Sequence, residues 1–234
     1  MAVTVNGTAT SSNIGGSTIG SGVAATFAYT CPAGTLGLVM IESSGSIALA
    51  AVPTAFSYNG VSATLISNTF SEDTSDSTQS SMWYLPSPPT GSSLTVSITY
   101  AQSVPGGAVA VMVPLLGVSA TTPFQTTTSA NISNDNGVAS TTASVTPPAA
   151  TANDLYIGVV GVQVDTAATI SVATGTQLTN TSSRGSLIVG VSSLAGNGGS
   201  LSWAITAANP WVMSAVAFLA PTSGGGTAAI AWIT

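Results

Sequence analysis

The chain has 234 residues and a net charge of −6, with seven Asp or Glu, no His, and Arg184 as its single Lys or Arg. No histidine means no proton shuttle near neutral pH and no imidazole metal ligand, and no lysine means no Schiff base. One cation excludes the phosphate contacts that drive nucleic-acid binding and argues against attraction to anionic lipid, so neither nucleic acid nor membrane is expected as a partner.

The hydrophobic fraction of 44% suits a globular core, while the charged fraction of 3% leaves Ser, Thr, Asn and Gln to meet water. Such a surface has little long-range repulsion and tolerates apposition to copies of itself, so self-association is expected. With no histidine to titrate, stability is expected to be flat from about pH 5 to 8. The single cysteine, Cys31, is expected as a small buried hydrophobe.

In chain order, strands are predicted at Ala2–Thr8, Ala24–Thr30, Leu36–Ile41, Ala63–Asn68 and Gln79–Leu85. Leu94, Val96, Ile98 and Tyr100 then alternate with Thr95, Ser97 and Thr99, the period of a half-buried strand. Ala108–Val113, Leu155–Val164 and Trp211–Leu219 are apolar at successive positions and predict strands covered on both faces. Leu187–Leu194 is a further strand, and Leu201, Trp203 and Ile205 alternate with Ser202, Ala204 and Thr206. Asn59-Gly60, Asn136-Gly137 and Gly198-Gly199 are turn signals. No amphipathic helical period occurs. Ten or more strands at this spacing predict an all-β, antiparallel β-sandwich, jelly-roll-like, over residues 1–221 as one domain. The Thr121–Ala150 stretch, ending near Pro147-Pro148, is either a linker or a surface connection with an edge strand; the second is preferred.

The N-terminus lacks the basic and apolar regions of a signal peptide. The apolar stretches Gly107–Val118 and Trp211–Leu219 fall short of the roughly 18 residues that span a bilayer. Residues 222–234 form a tail with the hinge Gly224–Gly226 and the apolar Ile230, Trp232 and Ile233, which are expected to dock on a neighbouring subunit.

Tyr58-Asn59-Gly60-Val61, Ala63–Ile66, Met82–Leu85, Pro88-Pro89, Leu94–Val96 and the ending Trp203 to Trp211–Val216 form an ordered series. It resembles a jelly-roll domain of phage virion proteins and bacterial secreted surface proteins, in which a YGG-like hairpin precedes an aliphatic strand, a W-x-L strand, a PP-x-G turn and a Thr/Val strand. The resemblance spans roughly Thr4 to Pro221, with Asn59 in place of the first hairpin glycine. It implies a fold and carries no catalytic residue.

Glu72, Asp73 and Asp76 are the one carboxylate cluster in the sequence. They are a weak Ca²⁺ candidate, because the segment lacks the glycine and distal glutamate of an EF-hand loop and suits a solvated loop better. Glu42 and Asp165 are the one acid pair weighed for general acid–base chemistry, a reading placed last. Trp83, Tyr84, Trp203 and Trp211 are weighed as a sugar-binding groove against the more usual core role of strand aromatics. No cofactor and no enzymatic activity are expected. The leading expectation is a bacteriophage virion structural protein at the virion surface, a capsid decoration or other jelly-roll subunit that contacts itself and other virion proteins. The rival is an extracellular bacterial adhesin or carbohydrate-binding module with a glycan partner.

Overall fold

The computed structural model describes residues 1–14, 19–46, 53–72, 77–104, 107–125, 130–133, 140–163, 168–183, 187–197 and 199–222. These residues are all-β. The first strands are β1 (Thr4–Val5), β2 (Thr10–Ile14), β3 (Ala24–Thr30), β4 (Gly37–Ser46), β5 (Pro53–Tyr58), β6 (Val61–Ser62), β7 (Thr64–Glu72), β8 (Ser77–Pro86), β9 (Ser93–Tyr100) and β10 (Ala108–Leu116). There follow β11 (Ala130–Ser133), β12 (Ser140–Val145), β13 (Leu155–Gln163), β14 (Ile170–Thr174), β15 (Thr176–Ser183), β16 (Leu187–Ala195), β17 (Leu201–Asn209) and β18 (Trp211–Phe218). Every pairing between them is antiparallel.

The sandwich is built twice. In the first half, one sheet runs β2-β10-β4-β8-β7, with β1 also on β10, and the other runs β3-β9-β5-β6. In the second half, the order β11-β18-β13-β16-β15 faces β12-β17-β14. Leaving out the short β1 and joining β6 to β7, each half has eight strands, and both follow 1-8-3-6-5 in one sheet and 2-7-4 in the other. This is a jelly-roll order. In both halves the chain passes from one sheet to the other at or just before the fifth strand. In the first, β6 pairs with β5 before Ala63, and β7 pairs with β8 after it. In the second, Gly175 makes the step at φ +111°, where an added Cβ would lie 2.7 Å from the Ser193 carbonyl oxygen.

The two five-strand orders lie back to back, so the molecule has four layers. Val39 and Ile41 of β4, and Val109, Val111 and Val113 of β10, share a core with Ile157, Val159, Val189 and Val216 of the second half. On their other side, Leu38, Met40 and Met112 pack on Phe56, Tyr58, Val96 and Ile98. Tyr156, Val160 and Met213 pack likewise on Leu201, Trp203 and Ile205. This explains the three doubly apolar segments: β10, β13 and β18 belong to the inner layers and bury both faces. Sheets with one wet face keep the alternation seen in β9 and β17.

Tyr84, Phe124 and Phe218 close the seam between the halves, with ring centroids 5.5, 5.8 and 6.2 Å apart. Val3 donates its amide to the Asn153 carbonyl at 2.8 Å across the same seam. The stretch 121–150 contributes Phe124, β11 and β12 to the second half, and Pro147-Pro148 lies between β12 and β13. The Asn59-Gly60 turn forms as predicted, with both residues at positive φ between β5 and β6.

Candidate functional site

Side chains along β4 alternate between the two cores that flank it, and halfway along the strand their chemistry changes. Leu38 and Met40 stand opposite Leu85 and Trp83 of β8 on the face toward the outer sheet. The next two partners on that face are Glu42 with Ser81 and Ser44 with Gln79. Across β10, the residues opposite Glu42 and Ser44 are Ala110 and Ala108, which leave room for the longer polar groups. Tyr100 reaches in from β9 of the outer sheet.

Glu42 is fully buried, and each of its oxygens is engaged. Tyr100 donates its hydroxyl to Oε1 at 3.0 Å, and Ser81 donates to Oε2 at 3.2 Å. The Gln79 amide nitrogen also donates to Oε2. Trp83 holds Ser81 by an Nε1 to Oγ bond of 3.0 Å, which leaves the serine proton for the carboxyl. Gln79 Nε2 also reaches Ser44 Oγ at 3.2 Å, and Ser44 is itself a hydrogen-bond partner of Glu42. The other end of the amide, Gln79 Oε1, is buried without a partner.

Burial pushes the Glu42 carboxyl up to about 8, against the lowering effect of hydrogen bonds from Tyr100, Ser44, Gln79 and Ser81. The group is therefore held largely as the neutral acid at neutral pH. Tyr100 is raised well above its ordinary value, first by burial and then by the adjacent carboxyl. The opposite face of the same strands carries a hydroxyl pair at the seam. Ser80 donates to Ser43 at 2.9 Å, and Ser43 donates to the Gln79 carbonyl at 2.9 Å. Gly161 of the second half makes space for both, since an added Cβ would lie 2.5 Å from Ser43 Oγ.

Of the acid pair weighed from sequence, Glu42 is the residue the structure describes; Asp165 lies outside the described residues. Glu72 ends β7, its backbone paired with Ser77, while Asp73 and Asp76 lie outside the described residues. The same holds for Arg184 and for Ile230, Trp232 and Ile233 of the tail. Among the described residues no group of three or more His, Cys, Asp or Glu could hold a metal ion. Trp83, Tyr84, Trp203 and Trp211 are buried and divided among all three cores, so they form no common groove. Cys31 is buried, and burial raises its thiol away from the reactive thiolate. Asp154 accepts from the Thr151 amide and hydroxyl at 2.7 and 2.8 Å and from the Ala220 amide at 2.7 Å, fixing the turn into β13.

Ser44, Gln79, Ser81 and Tyr100 were not singled out from the sequence. The available signal was a glutamate directly after the apolar run Leu38–Ile41, in a strand bound for the interior. No protein-family model, curated protein or solved structure matches the chain.

Proposed function

We propose that the chain is a structural subunit of a bacteriophage virion, a capsid decoration or other surface-exposed jelly-roll protein that acts by burying neutral β-surface against its neighbours. The observation that carries the adhesive mode is the chemistry of the two outer sheets. Their solvent faces present Thr26, Thr95 and Thr54 on one side and Thr142, Ser171, Ala204 and Thr206 on the other. The strands of these two sheets contain no Asp, Glu, Lys or Arg. A flat hydroxyl and methyl surface adheres by area and hydrogen bonds, with little Coulomb repulsion between copies. The phage assignment draws on the resemblance of the hairpin, W-x-L and Thr/Val strands to virion jelly rolls.

The test is antibody labelling and mass spectrometry of phage particles purified from the host that carries the gene. Surface labelling with many copies per particle is expected. Recovery from the host cell surface or medium, with none on particles, overturns the assignment in favour of an adhesin. Thr95→Asp combined with Thr206→Asp places charge on both outer faces and is expected to abolish docking while the fold persists. Docking of the native chain should change little between about 0.05 and 0.5 M salt, because few ion pairs are present to screen.

A further inference from the structure

The geometry points to Ser44 and Gln79 as a self-crosslinking pair: Ser44 attacks the Gln79 side-chain amide, with Glu42 as proton relay, and closes an ester between β4 and β8. The chemistry is independent of the proposed virion role. It rests on three groups brought together in a dry interior: a hydroxyl, a carboxamide and a neutral carboxylic acid touching both.

The pair is held in register. Ser44 and Gln79 are direct cross-strand partners on one face of antiparallel strands, with Ser44 Oγ 3.2 Å from Gln79 Nε2. All three side chains are buried, so the reactants are fixed at high effective concentration and water is kept from competing. The step balances without a cofactor. The Ser44 oxygen bonds to the Gln79 side-chain carbonyl carbon while its proton passes to Glu42. Glu42 returns a proton to the amide nitrogen, the C–N bond breaks, and ammonia leaves. Glu42 ends in the state in which it began, as a bifunctional catalyst. Ammonia entering neutral solvent takes up a proton, which draws the exchange forward.

The amide is also poorly accommodated as it stands. Its nitrogen has two acceptors while its oxygen, buried, has none. An ester removes both N–H donors and leaves a weaker acceptor in place of the unpartnered oxygen, so the core loses a polar mismatch. Tyr100 and Ser81, the latter steadied by Trp83, hold Glu42 against the pair and are positioning residues.

The experiment is the intact mass of the purified full chain after folding and prolonged incubation at neutral pH. A mass about 17 Da below the sequence value is expected, from loss of one ammonia per chain. Peptic digestion should yield one linked species joining the segments that hold Ser44 and Gln79. Mild alkali should open it to a carboxylate at position 79, about 1 Da heavier than the sequence mass. Ser44→Ala and Glu42→Gln should retain the full mass. A native chain at its full sequence mass overturns the inference. So does a loss of ammonia that persists in Ser44→Ala or maps to Asn59-Gly60 or Asn136-Gly137, where succinimide formation gives the same loss. The linked peptide from the native chain decides the matter if a variant fails to fold.

Discussion

Trp203 lies over Gly190, so closely that a Cβ on the glycine would sit 2.6 Å from the indole Cη2 and 2.9 Å from Ile170 Cδ1. In the first half the tryptophan between the sheets, Trp83, stands on β8 of the inner sheet. With the β-bulge between Leu65 and Ser67 set on the bulge between Gln177 and Thr179, Trp83 corresponds to Ser192 and Gly190 to Ser81. Trp203 corresponds to Val96 in the seventh strand, within Ser200-Leu201-Ser202-Trp203-Ala204-Ile205 and Ser93-Leu94-Thr95-Val96-Ser97-Ile98. Trp83 is carried by the inner sheet of the first half and Trp203 by the outer sheet of the second, where Trp211 of β18 shares the same core. Each indole N–H has a serine acceptor, Ser81 at 3.0 Å and Ser192 at 3.2 Å.

Gly190→Ala should therefore overpack the second core and cost about 1–3 kcal/mol. In a chain of this size that lowers the melting temperature by several degrees, roughly 2–4 °C per kcal/mol. Adding Trp203→Val should make the glycine substitution nearly free, a coupling that a double-mutant cycle measures. Strict additivity of the two changes would mean that the indole does not rest on the glycine.

The seam makes a second prediction. Phe218 touches Tyr84 of the other half and Phe124 of its own, and it is fully buried. Phe218→Ala should cost about 3–5 kcal/mol in denaturant unfolding, from lost burial and the cavity left between the layers. If the two halves unfold together, the transition stays single; separate transitions for the halves would show that the shared core does not couple them.

Glu42 changes the expected response to pH. Its folded-state value is raised from 4.5 to about 8, so the folded chain keeps a proton that the unfolded chain releases. The stabilising effect of the neutral acid is complete below about pH 4.5, declines as pH rises and is exhausted above about pH 8. The slope in that window is at most about 1.4 kcal/mol per pH unit. Urea melts at a series of pH values should show stability falling from about pH 5 to 8, where the absence of histidine predicts a flat profile. In Glu42→Gln the slope should vanish; a flat native profile would place the carboxyl near its ordinary value.

A fourth prediction concerns the tail. In both inner sheets the first-strand position is already occupied, by β2 on β10 and by β11 on β18. Truncation after Ser223 should leave a folded chain with an unchanged far-UV spectrum that no longer docks or assembles. Unfolding of the truncated chain would assign Ile230, Trp232 and Ile233 to its own core.

The fold class and much of the layering are legible in the amino-acid pattern. Alternation in Leu94–Tyr100 and Leu201–Ile205 marked sheets with one wet face, and unbroken apolarity in Ala108–Val113 and Trp211–Leu219 marked covered ones, because period and burial are local properties of a strand. The Ser/Thr-rich β2, β14 and β15 escaped prediction, and 121–150 holds two strands, β11 and β12, where one edge strand is expected, since edge strands take their pairing from neighbours and not from their own hydropathy. The duplication is visible in the Ser-Leu-x-x-x-Ile repeat at β9 and β17, but Trp203 in place of Val96 disguises it. Tertiary structure alone decided that the halves stack through their 1-8-3-6-5 sheets. It alone also brought Tyr100 and Gln79 to Glu42, from positions 58 and 37 residues away. Contacts of that kind depend on which faces meet across a sandwich, and no local pattern encodes them.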